Sequence, residues 1–238
     1  MKIKQLLKLS LINLLVSLYK PFSIRTFFHT ISYLELAEIR KSSNFISKFL
    51  GEAALFDDKK GGYWSFCMEK VSHQSSQGMW IEFGVRDGVS TKYFSPYAKK
   101  YSTNGLLYGF DSFQGIRNSW SSVNEPAGSF SRSGKQPNKI SGCEFIVGWI
   151  EDTLGPFLDS NPQNISFVHF DLDVYAPTKF ALSLIKKRLQ PGALILFDEF
   201  HGYPGWELNE KKALEEIFNS NDYKFIAFSR KQAAIQII

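Results

Sequence analysis

From residue 79 to the end of the chain, short apolar runs alternate with polar or helix-forming stretches, and this alternation constrains the fold more than any other feature. Near-continuous apolar runs are typical of strands that are buried on both faces of a parallel sheet. The sequence therefore predicts an α/β fold. The seven predicted strands are residues 79–84, 105–111, 144–149, 165–171, 193–198, 223–229 and 232–238.

The connections between these strands predict a mostly parallel sheet with one exception. Only Arg230 and Lys231 separate the last two strands, which is too short for a crossover helix, so we expect a C-terminal antiparallel hairpin at the sheet edge. The best-marked helix is predicted from Pro177 to Leu189, because a proline suits the first helical position and Pro191 and Gly192 follow its end.

Residues 1–78 are predicted to form an N-terminal helical extension, or cap, on a main domain at residues 79–238. Residues 1–60 carry 10 Lys and Arg against 5 Asp and Glu, whereas the rest of the chain carries 18 of each kind. The basic pI of about 9.0 therefore describes the N-terminal quarter of the chain. This distribution argues against a nucleic-acid groove over the main domain.

The first twenty residues contain an apolar stretch, residues 9–19, that is too short to cross a bilayer. One helical face carries Leu7, Leu11, Leu14, Leu15 and Leu18, which predicts a helix packed on the domain or on a second subunit, as in a homo-oligomer. Peripheral contact of residues 1–20 with a membrane surface and a secretion signal remain as alternatives. The two cysteines match no disulfide scaffold or zinc motif, which favours a reducing, cytoplasmic location.

A glycine-containing loop follows the first predicted strand, in the string EFGVRDGVS at residues 82–90. Glycines at positions 84 and 88 let the backbone approach a ligand, and the helix that follows offers free amides to an anionic group. The string lacks the third glycine that seats a dinucleotide pyrophosphate. Asp111, 27 positions after Gly84, ends the second strand and is placed to accept both hydroxyls of a ribose. The pair predicts a nucleoside ligand without a pyrophosphate.

Four carboxylates follow two further strands. Asp171 and Asp173 come after the fourth strand, and Asp198 and Glu199 come after the fifth. Because the carboxyl ends of parallel strands meet at one edge of a sheet, these groups should converge and repel one another. An all-oxygen set of this kind favours Mg²⁺ or Ca²⁺ over zinc. The alternative is that they are solvated loop residues or helix caps.

Two other features lie near these groups in the sequence. His201 follows the acidic pair, so it is either a structural residue or a substrate contact and alternate base. His169 lies deeper on the fourth strand and is predicted to be a core residue. The long polar insertion at residues 116–141 is rich in Ser, Asn, Gly and Pro, as active-site lids and disordered loops are.

A glycine loop after the first strand and an acidic residue at the end of the second make residues 79–238 resemble the class I S-adenosylmethionine-dependent methyltransferases. The resemblance implies a Rossmann-like fold and S-adenosylmethionine as cofactor. It also implies a set of cofactor-binding residues that spans three strand ends. These are Glu82, Gly84, Gly88, Ser90, Asp111, Ser112, Trp149, Glu151 and Asp152.

Four strings narrow the resemblance: FDLDVYAPT from residue 170, LILFDEF from residue 194, GWIEDTL from residue 148 and DSFQGI from residue 111. They resemble the macrocin O-methyltransferases, metal-dependent enzymes that act mainly on sugar hydroxyls of natural products. The resemblance implies that Asp171, Asp198 and Glu199 hold the metal, Mg²⁺ or another divalent cation, and that Asp173 is the catalytic base. The pair is often Asp-Asp in that family, so Glu199 departs from the pattern.

These observations predict a metal-assisted O-methyltransferase that acts on a sugar, a glycan or a glycosylated small molecule. One alternative is a catechol-like acceptor, whose neighbouring hydroxyls the same ion could chelate. Another is a non-catalytic binding module that keeps the methyltransferase fold. No nucleic-acid partner is expected.

Overall fold

The computed structural model describes residues 36–57, 59–73 and 77–238, so the helix predicted at residues 1–20 lies outside the described residues. The chain divides into two compact units, Met1–Phe45 and Ile46–Ile238. The described part of the first unit, residues 36–45, is helical. The second unit contains the sheet. The division into an extension at residues 1–78 and a methyltransferase-like domain at residues 79–238 stays a prediction.

The second unit is built on one eight-stranded sheet. All seven predicted strands are present within it, and an eighth strand, β1, comes from the segment that we predicted to be a helical extension. The strands are β1 Ala54–Phe56, β2 Gly78–Phe83, β3 Ser102–Asp111, β4 Cys143–Val147, β5 Ile165–Phe170, β6 Leu189–Phe197, β7 Tyr223–Ser229 and β8 Gln232–Ile237. With three residues, β1 is too short to produce an alternating pattern in the sequence.

The strand order is β1-β7-β8-β6-β5-β2-β3-β4. Only β8 is antiparallel to its neighbours β6 and β7, which confirms the mostly parallel sheet and the C-terminal hairpin. The predicted position of the hairpin at the sheet edge was wrong, because β1 pairs in parallel with β7 and forms that edge itself. The carboxyl ends of β2, β3, β5 and β6 lie side by side, as the sequence predicted.

Five α-helices of the second unit connect and cover the strands within the described residues. They are α1 Ser65–Ser72, α2 Val89–Tyr101, α3 Ile150–Ser160, α4 Tyr175–Ile185 and α5 Glu210–Ile217. Helix α4 begins two residues before Pro177, which is tolerated there because the first-turn amides have no partner in the helix. It ends at Ile185 and a 3₁₀ turn, Lys186–Arg188, continues to β6, so the predicted end at Leu189 was too late.

Side chains of alternate strand positions form the cores on the two faces of the sheet. On one face Trp80 stacks on Phe167 with ring centroids 4.4 Å apart, under Trp64 and α1. On the other face Phe83, Phe110 and Phe170 pack together. Side chains two positions apart in a strand point to the same face of the sheet. Glu82 therefore lies on the face of Trp80, and His169 lies on the face of Phe167. Both are closer to the carboxyl ends of their strands.

Two sequence expectations concern the environment of the chain. Both cysteines are free, so the one disulfide that the sequence allowed is not formed. None of the helices in the described ranges combines the length and the hydropathy that crossing a bilayer requires. The cytoplasmic location, the homo-oligomer and the membrane contact of residues 1–20 stay predictions.

Candidate active site

The glycine loop, residues 84–88, joins β2 to α2 and lies against the end of β5. Gly84 has a φ of +87°, and a Cβ atom there would lie 2.0 Å from the backbone oxygen of Asp171. A Cβ atom on Gly88 would lie 2.5 Å from Cδ1 of Ile140. The overlap with the backbone of Asp171 requires glycine at position 84. At position 88 the φ of +70° favours glycine, because the end of the Ile140 side chain could move. The first contact places the glycine loop directly beside a predicted metal ligand.

Asp111, at the end of β3, fixes the backbone of this loop. One carboxylate oxygen accepts hydrogen bonds from the amides of Val85 and Arg86, at 2.9 and 2.7 Å. The other accepts from the amide of Phe113 at 2.7 Å. A carboxylate offers about four lone-pair positions, so three amides leave room for one further donor. That Asp111 accepts both ribose hydroxyls stays a prediction.

The other residues predicted to bind the cofactor lie next to these. Ser112 is buried and its hydroxyl accepts a hydrogen bond from the amide of Gln114, and Ser90 is buried in the first turn of α2. Trp149 follows β4, half-buried, with the Arg117 guanidinium 5.0 Å from its ring.

The remaining two predicted cofactor ligands, Glu151 and Asp152, lie in the first turn of α3. Glu151 pairs with Arg117 at 3.4 Å, and Asp152 is exposed. The structure brings the whole predicted set to one edge of the sheet. Cofactor binding by each of its members stays a prediction.

A buried polar row connects the glycine loop to the acidic strand ends. Glu82 is fully buried, and its two oxygens accept from the hydroxyl of Thr91 on α2 and contact Nδ1 of His169 at 3.0 Å. Nε2 of His169 lies 3.8 Å from Asp198. Burial lowers the pKa of His169, but the hydrogen bond to Glu82 and the negative charges of Glu82 and Asp198 outweigh it and raise the pKa to about 9. His169 is the core residue that we predicted, and it also links a cofactor candidate to a metal candidate.

Asp171 and Asp198 follow paired residues of adjacent strands, Phe170 in β5 and Phe197 in β6. Their amides continue the ladder, Asp171 to the carbonyl of Phe83 at 2.8 Å and Asp198 to the carbonyl of Phe170 at 2.9 Å. The two predicted metal ligands are therefore neighbours on the same edge as Gly84. The predicted metal site requires Asp171 and Asp198 to be neighbours in this way.

Asp173, the predicted base, has an unusual backbone. Its φ is +66°, and the amide of Val174 donates to the carbonyl of Leu172 at 2.7 Å, which closes a tight three-residue turn. Such strained conformations in non-glycine residues cluster at functional sites. Burial, and then the charges of Glu199 and Asp198, raise the pKa of Asp173 to about 7, although Arg86 and Lys231 act in the opposite direction.

Asp198 and Glu199 already have protein partners from the β7–β8 hairpin. The side-chain amide of Gln232 donates to Asp198, and the ammonium of Lys231 lies 3.3 Å from Glu199. Lys231 therefore competes with any cation for Glu199. This contact adds to the departure of Glu199 from the Asp-Asp pattern.

Glu210, the first residue of α5, joins this acidic group, and sequence reasoning missed it. It is fully buried, and one of its carboxylate oxygens accepts from the amide of Glu199 at 3.2 Å. Burial, and then the charges of Asp173 and Asp198, raise the pKa of Glu210 well above its usual range. An acidic residue in the first turn of a helix is common, so the sequence carries no signal for this position.

A divalent cation fits this site in two respects. Every candidate donor is a carboxylate oxygen, as Mg²⁺ prefers. One buried oxygen of Glu210 has no hydrogen-bond partner among the described residues. Within the same residues, however, no group of three or more His, Cys, Asp or Glu side chains stands ready to enclose an ion. The donor chemistry fits Mg²⁺, and the carboxylates would have to move together to bind it.

His201 was offered as a substrate contact or alternate base, and the structure gives it a structural position instead. It is 2% exposed, its Nε2 lies 3.1 Å from the carbonyl oxygen of Gln232, and its ring packs on Phe228. Burial lowers the pKa of His201 to about 4.

The insertion at residues 116–141 contacts both sides of the site. Arg132 forms an ion pair with Asp87 in the glycine loop, close to the contact of Ile140 with Gly88. At the other side Trp120 packs edge-on against Tyr203, with ring centroids 5.3 Å apart. The insertion therefore spans from the glycine loop to the segment that follows β6, as a lid would.

Comparison with known families identifies this arrangement. A family model described as a methyltransferase domain matches residues 81–200, just over half of the 238 residues. The chain belongs to this methyltransferase family. It is an S-adenosylmethionine-dependent methyltransferase, and its fold is that of the class I enzymes. No curated protein sequence matches the chain.

Solved structures similar to this methyltransferase show the same fold. The calicheamicin methyltransferase CalS11 matches with a TM-score of 0.59 and 19% identity, covering 93% of this chain and 96% of that one. An apo structure of CalS11, described as a TDP-rhamnose 3′-O-methyltransferase, matches with a TM-score of 0.55 and 19% identity, covering 93% and 98%. The O-methyltransferase NovP matches with a TM-score of 0.53 and 20% identity, covering 72% and 76%.

Proposed function

We propose that this methyltransferase transfers a methyl group from S-adenosylmethionine to a hydroxyl of a sugar, a glycan or a glycosylated small molecule, assisted by a divalent cation. One observation carries the proposal: the glycine loop touches Asp171, whose strand neighbour is Asp198. A donor on the loop and a cation on the carboxylates would therefore lie side by side. The similarity to CalS11 and NovP, described as O-methyltransferases, supports the choice of a hydroxyl acceptor.

The glycine loop and the carboxyl ends of β3 and β4 bind the methyl donor, S-adenosylmethionine. Asp111 holds the amides of Val85 and Arg86, so the loop is shaped before a ligand arrives. One remaining lone-pair position on Asp111 would accept a ribose hydroxyl, and the half-buried ring of Trp149 would pack on the adenine. S-adenosylmethionine, when bound, supplies a methyl group on a positively charged sulfur. Aligning this group with the acceptor oxygen is the main requirement of the reaction.

Deprotonation of the acceptor is assigned to Asp173. As the acceptor oxygen forms its bond to the methyl carbon and the carbon–sulfur bond breaks, the hydroxyl proton passes to the Asp173 carboxylate. Asp171 and Asp198 would hold Mg²⁺. Glu199 would join them where the cation displaces the ammonium of Lys231. The cation would lower the pKa of the acceptor hydroxyl and fix its orientation. The insertion at residues 116–141 would exclude water and select the acceptor.

A substrate panel tests this function. The enzyme is incubated with S-adenosylmethionine, Mg²⁺ and either TDP-rhamnose, other nucleotide sugars, glycosylated small molecules or catechols, and products are identified by mass spectrometry. We expect a mass gain of one methyl group on a sugar hydroxyl. Methylation of catechols alone would replace the acceptor in the proposal. Donor binding with no methylation of any acceptor class would contradict it.

A further inference from the structure

We infer that Glu210 is an additional oxygen ligand of the divalent cation, supplied by helix α5 and not by a strand end. The inference rests on the proposed function, because it names a residue of the same cation site. The juxtaposition that carries it is a fully buried carboxylate with an unpartnered oxygen, placed among the acidic residues at the ends of β5 and β6.

The hydrogen bonds of Glu210 account for only half of its carboxylate. Oε2 accepts from the amide of Glu199 at 3.2 Å, which holds the carboxylate beside the predicted metal ligands. Oε1 is buried and has no partner among the described residues. A buried carboxylate oxygen without a partner costs free energy, because it has lost its water and gained nothing in exchange.

The charges around Glu210 make this cost larger. The ionisable groups that act on it include four carboxyl groups, those of Asp173, Asp198, Asp171 and Glu199, and the hydroxyls of Tyr63 and Tyr203. The nearby ammonium of Lys231 is paired with Glu199. Gathering five carboxyl groups in this way is unfavourable unless protons or a bound cation add positive charge. A divalent cation bound to Oε1 would supply that charge and the missing contact together.

The start of α5 is anchored firmly enough to present a ligand. Asn209 precedes Glu210, and its side-chain amide donates to the carbonyl of Gly205 at 3.2 Å. Trp206, in the 3₁₀ turn before α5, is buried, and the Lys211 ammonium lies 5.8 Å from its ring. A ligand on an anchored helix keeps its position when the cation leaves. Glu210 would then be the fixed point toward which Asp171 and Asp198 close.

Mn²⁺ binding tests the inference without any turnover. Free Mn²⁺ is measured by electron paramagnetic resonance as it is titrated into the full-length wild type, Glu210→Gln, Asp171→Asn and Glu215→Gln. Glu215 lies on the same helix but is exposed, so its variant is the matched control. We expect Glu210→Gln to weaken Mn²⁺ binding about 10-fold or more and Glu215→Gln to leave it unchanged.

The outcomes separate this inference from the proposed function. If the wild type binds Mn²⁺, Asp171→Asn loses it and Glu210→Gln keeps wild-type affinity, the role of Glu210 is wrong and the metal site stands. If the wild type does not bind Mn²⁺, the metal part of the proposed function fails and this inference fails with it. Circular dichroism checks that Glu210→Gln folds. Should it not fold, Glu210→Asp shortens the reach of the carboxylate, and wild-type affinity in that variant would overturn the inference.

Discussion

The two sides of the site differ in how well the protein satisfies its own carboxylates. On the donor side, Asp111 accepts three backbone amides, and Glu82 is bonded to Thr91 and His169. On the cation side, burial and mutual repulsion raise the pKa values of Asp173 and Glu210, and Glu210 keeps a buried oxygen without a partner among the described residues. The donor side is therefore completed by the chain itself, whereas the cation side holds carboxyl groups whose ionised forms the protein stabilises poorly.

This difference predicts that variants on the cation side act on turnover and variants on the donor side act on folding and donor binding. The largest effect is expected for Asp173→Asn. Loss of the base should lower kcat about 10²- to 10⁴-fold and leave the Kd for S-adenosylmethionine unchanged. Steady-state kinetics and calorimetry measure the two quantities. Asp159→Asn, on the exposed side of α3, is the control and should keep wild-type kcat.

Gly84→Ala should be the most destabilising change on the donor side. Its Cβ atom would overlap the backbone of Asp171, and its φ of +87° adds strain. Gly192→Ala is the matched control, because it introduces the backbone strain without the overlap. Gly192 has a φ of +85°, and no atom lies within 4 Å of the added carbon. Chemical denaturation should show a loss of about 1 kcal/mol for Gly192→Ala and at least about 2 kcal/mol more for Gly84→Ala. Equal losses would mean that the contact with Asp171 is unimportant.

Asp111→Asn tests whether the donor side is held by the charged carboxylate. The amide can accept through one atom only, so at least one of the three backbone amides loses its partner. We expect the free energy of unfolding to fall by about 1–3 kcal/mol and the affinity for S-adenosylmethionine to weaken. Mn²⁺ affinity should stay at the wild-type value. A loss of Mn²⁺ binding would show that the two sides are not separable.

Arg132→Ala has the smallest expected effect on stability. Its ion pair with Asp87 is partly exposed, with side-chain exposures of 30% and 50%, and exposed pairs contribute about 1 kcal/mol or less. If the insertion selects the acceptor, KM for the acceptor should rise while the donor Kd changes little. An unchanged KM would argue that residues 116–141 do not act as a lid.

The sheet could be predicted from the sequence because buried parallel strands produce apolar runs that are recognisable one at a time. The strand-end residues Gly84, Asp111, Asp171 and Asp198 could be predicted for the same reason, since parallel topology alone brings them to one edge. Strand β1 could not, because three residues of an edge strand form no pattern. Its pairing with β7 depends on contacts distant in the chain.

The remaining differences also arise from tertiary contacts. Nothing in the local sequence shows that Gln232 donates to Asp198 or that Lys231 pairs with Glu199, because the hairpin that supplies them is 32 or more positions away. Glu210 and His201 also show that the local sequence does not reveal tertiary contacts, since the prediction missed the first and included the second. In the sequence Glu210 is an ordinary first-turn acid, yet it lies beside Glu199. His201 follows the acidic pair in the sequence, yet it is packed into the core.

The central claim is that a divalent cation binds beside the S-adenosylmethionine site and assists methyl transfer, whereas S-adenosylmethionine binds equally well without the cation. Methyl transfer and donor binding are therefore measured on one sample with EDTA and again after excess Mg²⁺ is added. The account predicts that EDTA abolishes turnover, that Mg²⁺ restores it, and that the Kd for S-adenosylmethionine is the same in both states. Turnover that continues unchanged in EDTA would contradict it.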